Sequence, residues 1–272
     1  MERVVLQHAA EIRRRERFSF GANWSRFLAH LTEEQIERAA DSLRTKLKRD
    51  DLKGVRFLDA GSGSGIFSLA AYRLGAQVHS FDFDPQSTAC TAELRRRFAA
   101  EEGRWTVENG SLLDSEYLAS LGTFDVVYCW GVAHHTGNLR QALEHIAQLV
   151  APGGTLFIAL YNDQGWISRY WRLIKRRYNR HPWLRWPIVV AHTPYLLAAR
   201  FVVRALTGRV RAERGMSLWY DMIDWLGGWP FEVCEPTNVT RFFQGRGFTV
   251  QTVVSVGRRA GCNEFVFSRR SG

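Results

Sequence analysis

The run Phe57-Leu58-Asp59-Ala60-Gly61-Ser62-Gly63-Ser64-Gly65-Ile66-Phe67 constrains this chain more than any other, because a short apolar stretch turns through alternate glycines into a second apolar stretch. Glycine admits positive φ and lets backbone approach a ligand closely. Such a run therefore predicts strand, tight turn and helix at the switch point of a parallel sheet. A dinucleotide loop spaces its glycines as G-x-G-x-x-G and aims a helix N-terminus at a pyrophosphate. Here the third glycine comes one residue early, and Asp59 stands just before the turn. A carboxylate there repels phosphate and suits an ammonium or hydroxyl-bearing ligand.

A second acid strengthens the reading. Phe81-Asp82-Phe83-Asp84-Pro85 ends the next apolar run, and Asp82 lies 21 residues after Gly61. That is where a carboxylate accepts the hydroxyls of a nucleoside ribose. Asp84, directly before Pro85, reads as the N-cap of the following helix.

From Val55 to Asn162 short apolar runs alternate with amphipathic segments, the pattern of βαβ units. Strands are predicted at Val55 to Ala60, Gln77 to Phe83, Trp105 to Asn109, Phe124 to Trp130 and Thr155 to Tyr161. The clearest helices are Pro85 to Ala99 and Leu139 to Val150, the latter ended by a loop at Ala151-Pro152-Gly153-Gly154. Residues 1–50 read as a helical cap: Thr32-Glu33-Glu34-Gln35 matches a capping box, followed by Ile36, Ala39, Ala40, Leu43 and Leu47 at helical spacing. Upstream, Phe18, Phe20, Trp24, Phe27, Leu28 and Leu31 form an aromatic-rich stripe expected to pack on the main domain. Residues 235–272 read as a helix through Val239, Phe242 and Phe243, then a hairpin of Phe248 to Val256 and Asn263 to Ser268.

Residues 163–234 break the alternation, and the charge of the chain sits there. The whole chain carries +10, and between Asp163 and Arg214 eleven Arg and one Lys face only Asp163 and Glu213. The excess thus describes the partner of one segment: phosphate groups, an acidic substrate or an anionic membrane surface. The apolar run Trp183 to Leu206 is interrupted by Pro187, Pro194 and three arginines, which makes a poor transmembrane span. A lid or a surface-seeking amphipathic helix, with peripheral membrane contact through 163–214, fits better. The cysteines Cys90, Cys129, Cys234 and Cys262 form no paired spacing and no signal-type apolar core opens the chain, so a reducing, cytoplasmic setting is expected.

The stretch Asp59 to Gly65 with Asp82 resembles the class I methyltransferase superfamily, and Gly110-Ser111-Leu112-Leu113-Asp114 occupies the place of its adenine-binding segment. The resemblance implies a Rossmann-like α/β fold, with a seven-stranded, mostly parallel sheet ending in an antiparallel hairpin. It also implies S-adenosylmethionine as cofactor, bound by Asp59, Gly61, Ser62, Gly63, Gly65, Asp82, Phe83, Ser111, Leu112 and Trp130. Ser111 departs from the pattern, since many members carry an acid there, which leaves adenine recognition to Asp114 or to backbone. Trp130-Gly131-Val132-Ala133-His134-His135-Thr136-Gly137 carries a looser similarity to ubiquinone-pathway and related small-molecule O-methyltransferases.

Methyl transfer needs an aligned acceptor and a route for its proton. A histidine beyond the fourth strand stands at the crevice edge, so His135 is the first candidate base and His134 the second. A structural histidine bonding the loop is an equally open reading. Tyr161, Asn162 and Trp225 are candidate acceptor contacts, the last within an aromatic cluster, Trp219 to Trp229. No metal is expected, because adjacent histidines rarely point at one ion. The leading expectation is O-methylation of a small-molecule, glycosylated or lipid-linked acceptor. An RNA methyltransferase using the basic segment and a non-catalytic scaffold are the alternatives.

Overall fold

The computed structural model describes residues 2–21, 24, 28, 31–99, 103–207 and 218–271. Phe27 of the aromatic stripe and the 208–217 part of the basic segment lie outside them. The sheet orders its seven strands β3-β2-β1-β4-β5-β7-β6. These are β1 (Arg56–Ala60), β2 (Gln77–Asp82), β3 (Trp105–Asn109), β4 (Phe124–Trp130), β5 (Val150–Tyr161), β6 (Phe248–Val254) and β7 (Cys262–Arg269). The first five run parallel, and β7 pairs antiparallel with both β5 and β6. The strand order reverses between β1 and β4, so a crevice opens where the carboxyl ends of those two strands diverge.

Strand ends follow the sequence expectation within two residues except at β5. Val150 already pairs with Phe124 and Thr155 with Val126, so Ala151 to Gly154 bulge out inside the strand instead of separating helix from strand. Pro152 and Gly153 do interrupt regular pairing there, and the ladder closes on both sides of them.

Helices cover both faces. On one side α5 (Ser115–Leu121), α6 (Leu139–Leu149) and α10 (Pro236–Gln244) bury Leu118, Ile146 and Phe243. On the other, α2 (Glu33–Leu47), α3 (Ile66–Arg73) and α4 (Pro85–Phe98) bury Leu43, Leu69 and Leu94. The capping box of α2 is formed, with Gln35 N donating to Thr32 Oγ1 at 3.3 Å and Thr32 N to Gln35 Oε1 at 2.8 Å. A third cluster, separate from the sheet, joins α7 (Trp166–Arg180), α8 (Arg185–Thr207) and α9 (Leu218–Gly227) through Trp171, Val189 and Leu226. An N-terminal helix, α1 (Glu2–Arg13), and the arm after it lie over the crevice, where Phe18, Phe20 and Trp24 line a cavity. No described helix is long and apolar enough to cross a membrane.

Candidate active site

The glycine turn makes the first wall of that cavity. Gly61 sits at φ +92°, and a Cβ there would stand 2.4 Å from Val132 Cγ1. Gly65, at φ +80°, would set a Cβ 2.9 Å from Thr91 Cα. Only glycine meets both conditions, left-handed backbone and no room for a side chain. Gly61 N and Ser62 N donate to Phe81 O, which ties the turn to the tip of β2. Ser62 lines the cavity, but its hydroxyl is paired with Thr91 Oγ1 at 2.8 Å.

Asp59 is buried, and a one-way chain of hydrogen bonds ends on it. Trp105 Nε1 donates to Ser80 Oγ (2.8 Å), Ser80 to Ser68 Oγ (2.8 Å) and Ser68 to Asp59 Oδ2 (2.5 Å). The carboxylate only accepts and each hydroxyl has one hydrogen, so Ser68 must donate to Asp59 and Ser80 to Ser68, with the donor-only indole closing the far end. Burial nevertheless pushes the Asp59 carboxyl up to about 7, against the Ser68 bond and with help from the charge of Asp82. Ser68, Ser80 and Trp105 were not foreseen from sequence, because their partners are distant in the chain.

Asp82 is held from two sides, by Gly63 N on Oδ2 and Asp84 N on Oδ1, both at 2.9 Å. Each oxygen keeps a second acceptor position. Burial raises this carboxyl to about 6, opposed by its backbone hydrogen bonds. Asp84 does cap α4, through Gln86 N, and its other oxygen accepts from Ser19 Oγ and Gly21 N at 3.0 Å, fastening the N-terminal arm to the site.

Ser111 and Leu112 border the cavity beyond β3, with Phe83 at the tip of β2. Asp114 does not face it: its carboxylate caps α5 through Tyr117 N and pairs with Arg3 at 3.0 Å. That leaves backbone for the role left open at this segment. Trp130 lines the far side, its indole N–H donating to Glu264 Oε1 at 3.0 Å.

The two histidines separate cleanly. His135 lies on a short 3-10 turn after β4 and faces the cavity. Its Nδ1 is 2.6 Å from Pro230 O. A carbonyl only accepts, so Nδ1 carries the proton and Nε2 is a bare acceptor. Burial, reinforced by the charges of Lys175 and Arg17, lowers its pKa to about 3. His134 is fully buried and does not border the cavity; its Nδ1 accepts from Tyr161 N at 3.2 Å, which removes it as a base.

Around His135 stand aromatic rings from distant segments: Phe20 at 5.1 Å, Tyr161 at 5.4 Å, and Trp225 at 5.5 Å from Tyr161. Asn162 is not among them. Its amide donates to Gly257 O and Arg259 O and accepts from Asn263, so it locks the β6–β7 hairpin to the end of β5. Sequence reasoning also missed Arg17 and Lys175. Arg17 donates to His135 O (2.7 Å) and Thr136 O (3.3 Å), pairs with Glu11 and lies 4.5 Å from the centre of the Phe83 ring. Lys175, counted with the basic run, is buried beneath Trp225, 4.3 Å from its ring, and donates to Trp225 O. Its position on the inner face of α7, four residues after Trp171, was the available signal.

Asp59, Asp82, Trp130, His135, Tyr161 and Trp225 border one cavity of about 1250 Å³. A pocket for one drug-sized ligand holds roughly 300–1,000 Å³, so this one has room for two molecules side by side.

A family model described as Methyltransferase domain matches residues 28–253. The chain is similar to the Ubiquinone biosynthesis O-methyltransferase of Xanthomonas oryzae pv. oryzae (strain PXO99A), 33% identical over 114 residues, which covers 42% of this chain and 46% of that protein. The chain thus spans under half the length of the curated relative it matches. Among solved structures, its fold is similar to magnesium protoporphyrin IX methyltransferase (ChlM) from Synechocystis PCC 6803 with bound SAH. The TM-score is 0.51 at 14% identity, over 87% of this chain and 82% of that one. It is also similar to the N-methyltransferase NodS from Bradyrhizobium japonicum WM9 in complex with S-adenosyl-l-homocysteine, with TM-score 0.51 and 14% identity, over 93% and 99% of the two chains.

Proposed function

The chain belongs to the methyltransferase domain family, and from that premise we propose that it methylates a hydroxyl oxygen of a small, largely apolar acceptor, with S-adenosylmethionine as donor and His135 as base. A lipid-linked or glycosylated small molecule falls within this class. The family's donor supplies an electrophilic methyl on a sulfonium.

The residues present fit that donor. Asp82 keeps one open acceptor position on each oxygen, the complement of a ribose diol. Asp59 offers a buried carboxylate to an ammonium, and Gly61 and Gly63 leave backbone bare at the cavity wall. Phe83, Ser111 and Leu112 would flank the base, and Trp130 the sulfonium side.

His135 has the right tautomer to take a proton at Nε2, held by Pro230 O on its other nitrogen. With a pKa near 3 it is a weak base that stays neutral across the working range. That suits a concerted step: a hydroxyl becomes strongly acidic only as its oxygen gains a methyl group, and a neutral imidazole collects the proton at that moment. Phe20, Tyr161 and Trp225 present ring faces and edges to a flat acceptor and exclude water from it.

The observation that carries this reading is that Asp82 and the open nitrogen of His135 face one cavity large enough for donor and acceptor together. The test is His135→Ala, assayed by transfer of labelled methyl to a panel of phenols and catechols, beside calorimetric titration with S-adenosylhomocysteine. Turnover should fall about 100- to 10,000-fold with unchanged affinity for the demethylated cofactor. A variant as fast as the parent would remove His135 as base.

A further inference from the structure

The five most exposed large apolar side chains among the described residues all lie between positions 166 and 195. Three are tryptophans: Trp166, Trp183 and Trp186 expose 74%, 73% and 70% of their surface. Soluble proteins scatter exposed apolar residues singly, and a concentration of this kind marks an interaction surface.

The helical period separates two faces of α7. Ser168, Trp171, Lys175 and Tyr178 point inward. Trp166, Tyr170 and Leu173 point out, interleaved with Arg169, Arg176 and Arg180 at spacings of three and four. On α8 the outward arc is apolar: Trp186, Pro187, Val190, Ala191, Pro194 and Tyr195 are all exposed. The two outer faces adjoin, since Tyr170 Oη lies 2.6 Å from His192 Nε2 across the helix pair. No acidic residue occurs between Asp163 and Glu213.

We infer that the outer faces of α7 and α8 dock on an anionic phospholipid surface, with the tryptophans and Tyr195 at the headgroup boundary and the arginines on lipid phosphates. Charge complementarity selects this occupant: a strip of arginines without one acid is drawn to a negative leaflet, and amphipathic rings settle where hydrocarbon meets water. A polynucleotide suits the arginines but not the outward arc of α8, which offers phosphates almost no hydrogen-bond donor. Neither helix is long and apolar enough to cross, so both lie in the plane. The inner face of α7 packs Trp171 edge-on against Trp225, 5.8 Å between ring centres, and Trp225 borders the cavity. The docking surface thus backs directly onto a residue of the acceptor end through α7.

The test is co-sedimentation of the full chain with vesicles of phosphatidylcholine alone or mixed with phosphatidylglycerol. The chain should sediment with the mixed vesicles only, and less as salt rises. Each arginine at an anionic surface contributes about a factor of five, so the pair Arg176→Glu and Arg180→Glu should weaken partition at least about 20-fold. Trp183→Ser with Trp186→Ser should weaken it about tenfold. Both variants should keep the parent's melting temperature and its affinity for S-adenosylhomocysteine. The proposal fails if the parent stays in solution with mixed vesicles, or if folded variants partition as it does. It also fails if the same substitutions instead abolish a dimer, or binding to a single-stranded polynucleotide, in a chain that ignores vesicles. No arm uses turnover, so this inference stands or falls apart from the methyl-transfer reading.

Discussion

At one end of the cavity the wall is backbone and carboxylate, drawn from adjacent strand tips and a turn that tolerates no side chain at Gly61. At the other end it is aromatic, with Phe20 from the arm, Tyr161 from β5 and Trp225 from α9 meeting around His135. The first end is a template whose shape follows from chain geometry, so one misplaced atom disables it. The second is a set of interchangeable surfaces, where substitution retunes the shape of the guest without dismantling the host.

The sharpest way to break that contrast is Gly61→Val. Left-handed strain of about 1–3 kcal/mol adds to an overpacking cost of about 1–3 kcal/mol against Val132. Affinity for S-adenosylhomocysteine should drop about 1,000-fold, beyond calorimetric detection, and near-normal binding would show that the turn is not a rigid template.

Next in size is Asp82→Asn, which removes a charged acceptor and should weaken the same ligand about 100-fold. The sign of its pH dependence follows from the raised carboxyl. Below about 6 the free protein holds Asp82 protonated, and only the carboxylate accepts from two hydroxyls, so parental affinity should fall as pH drops through that value. Asp59, raised to about 7, contributes a separate limb just above. In calorimetry across this range the variant should lose the Asp82 limb, and the Asp59 limb should move to lower pH because the charge of Asp82 no longer helps to raise it. A parent whose affinity ignores pH there would contradict the ribose assignment.

The smallest effect is expected at the aromatic end, where Trp225→Leu should raise acceptor KM about tenfold and leave S-adenosylhomocysteine binding alone. Loss of both together would mean that the two ends are not separable.

The same contrast explains what was legible in the sequence. The template announces itself locally: Asp59, the glycines and Asp82 lie in two short runs whose spacing is set by a strand, a turn and a helix. The parallel strands were readable for the same reason. The aromatic end depends on pairs far apart in sequence, such as Arg17 with the carbonyls of His135 and Thr136. His134 and His135 are indistinguishable as neighbours in a string; a 3-10 turn sends one into the core and the other to the cavity. Asn162 looked like a crevice residue because it follows β5, and its real partners sit on the hairpin some hundred residues later. Lys175 stands in the sequence as one more charge of the basic run, and only the inner face of α7 sets it against Trp225.

The file of donors from Trp105 through Ser80 and Ser68 to Asp59 has a further consequence. Because the carboxylate takes and never gives, both hydroxyls behind it already turn their hydrogens toward the anion, the arrangement its ionised form requires. Nothing in that file has to reorient when a positively charged guest arrives, so the reorganisation that water would demand is completed when the chain folds.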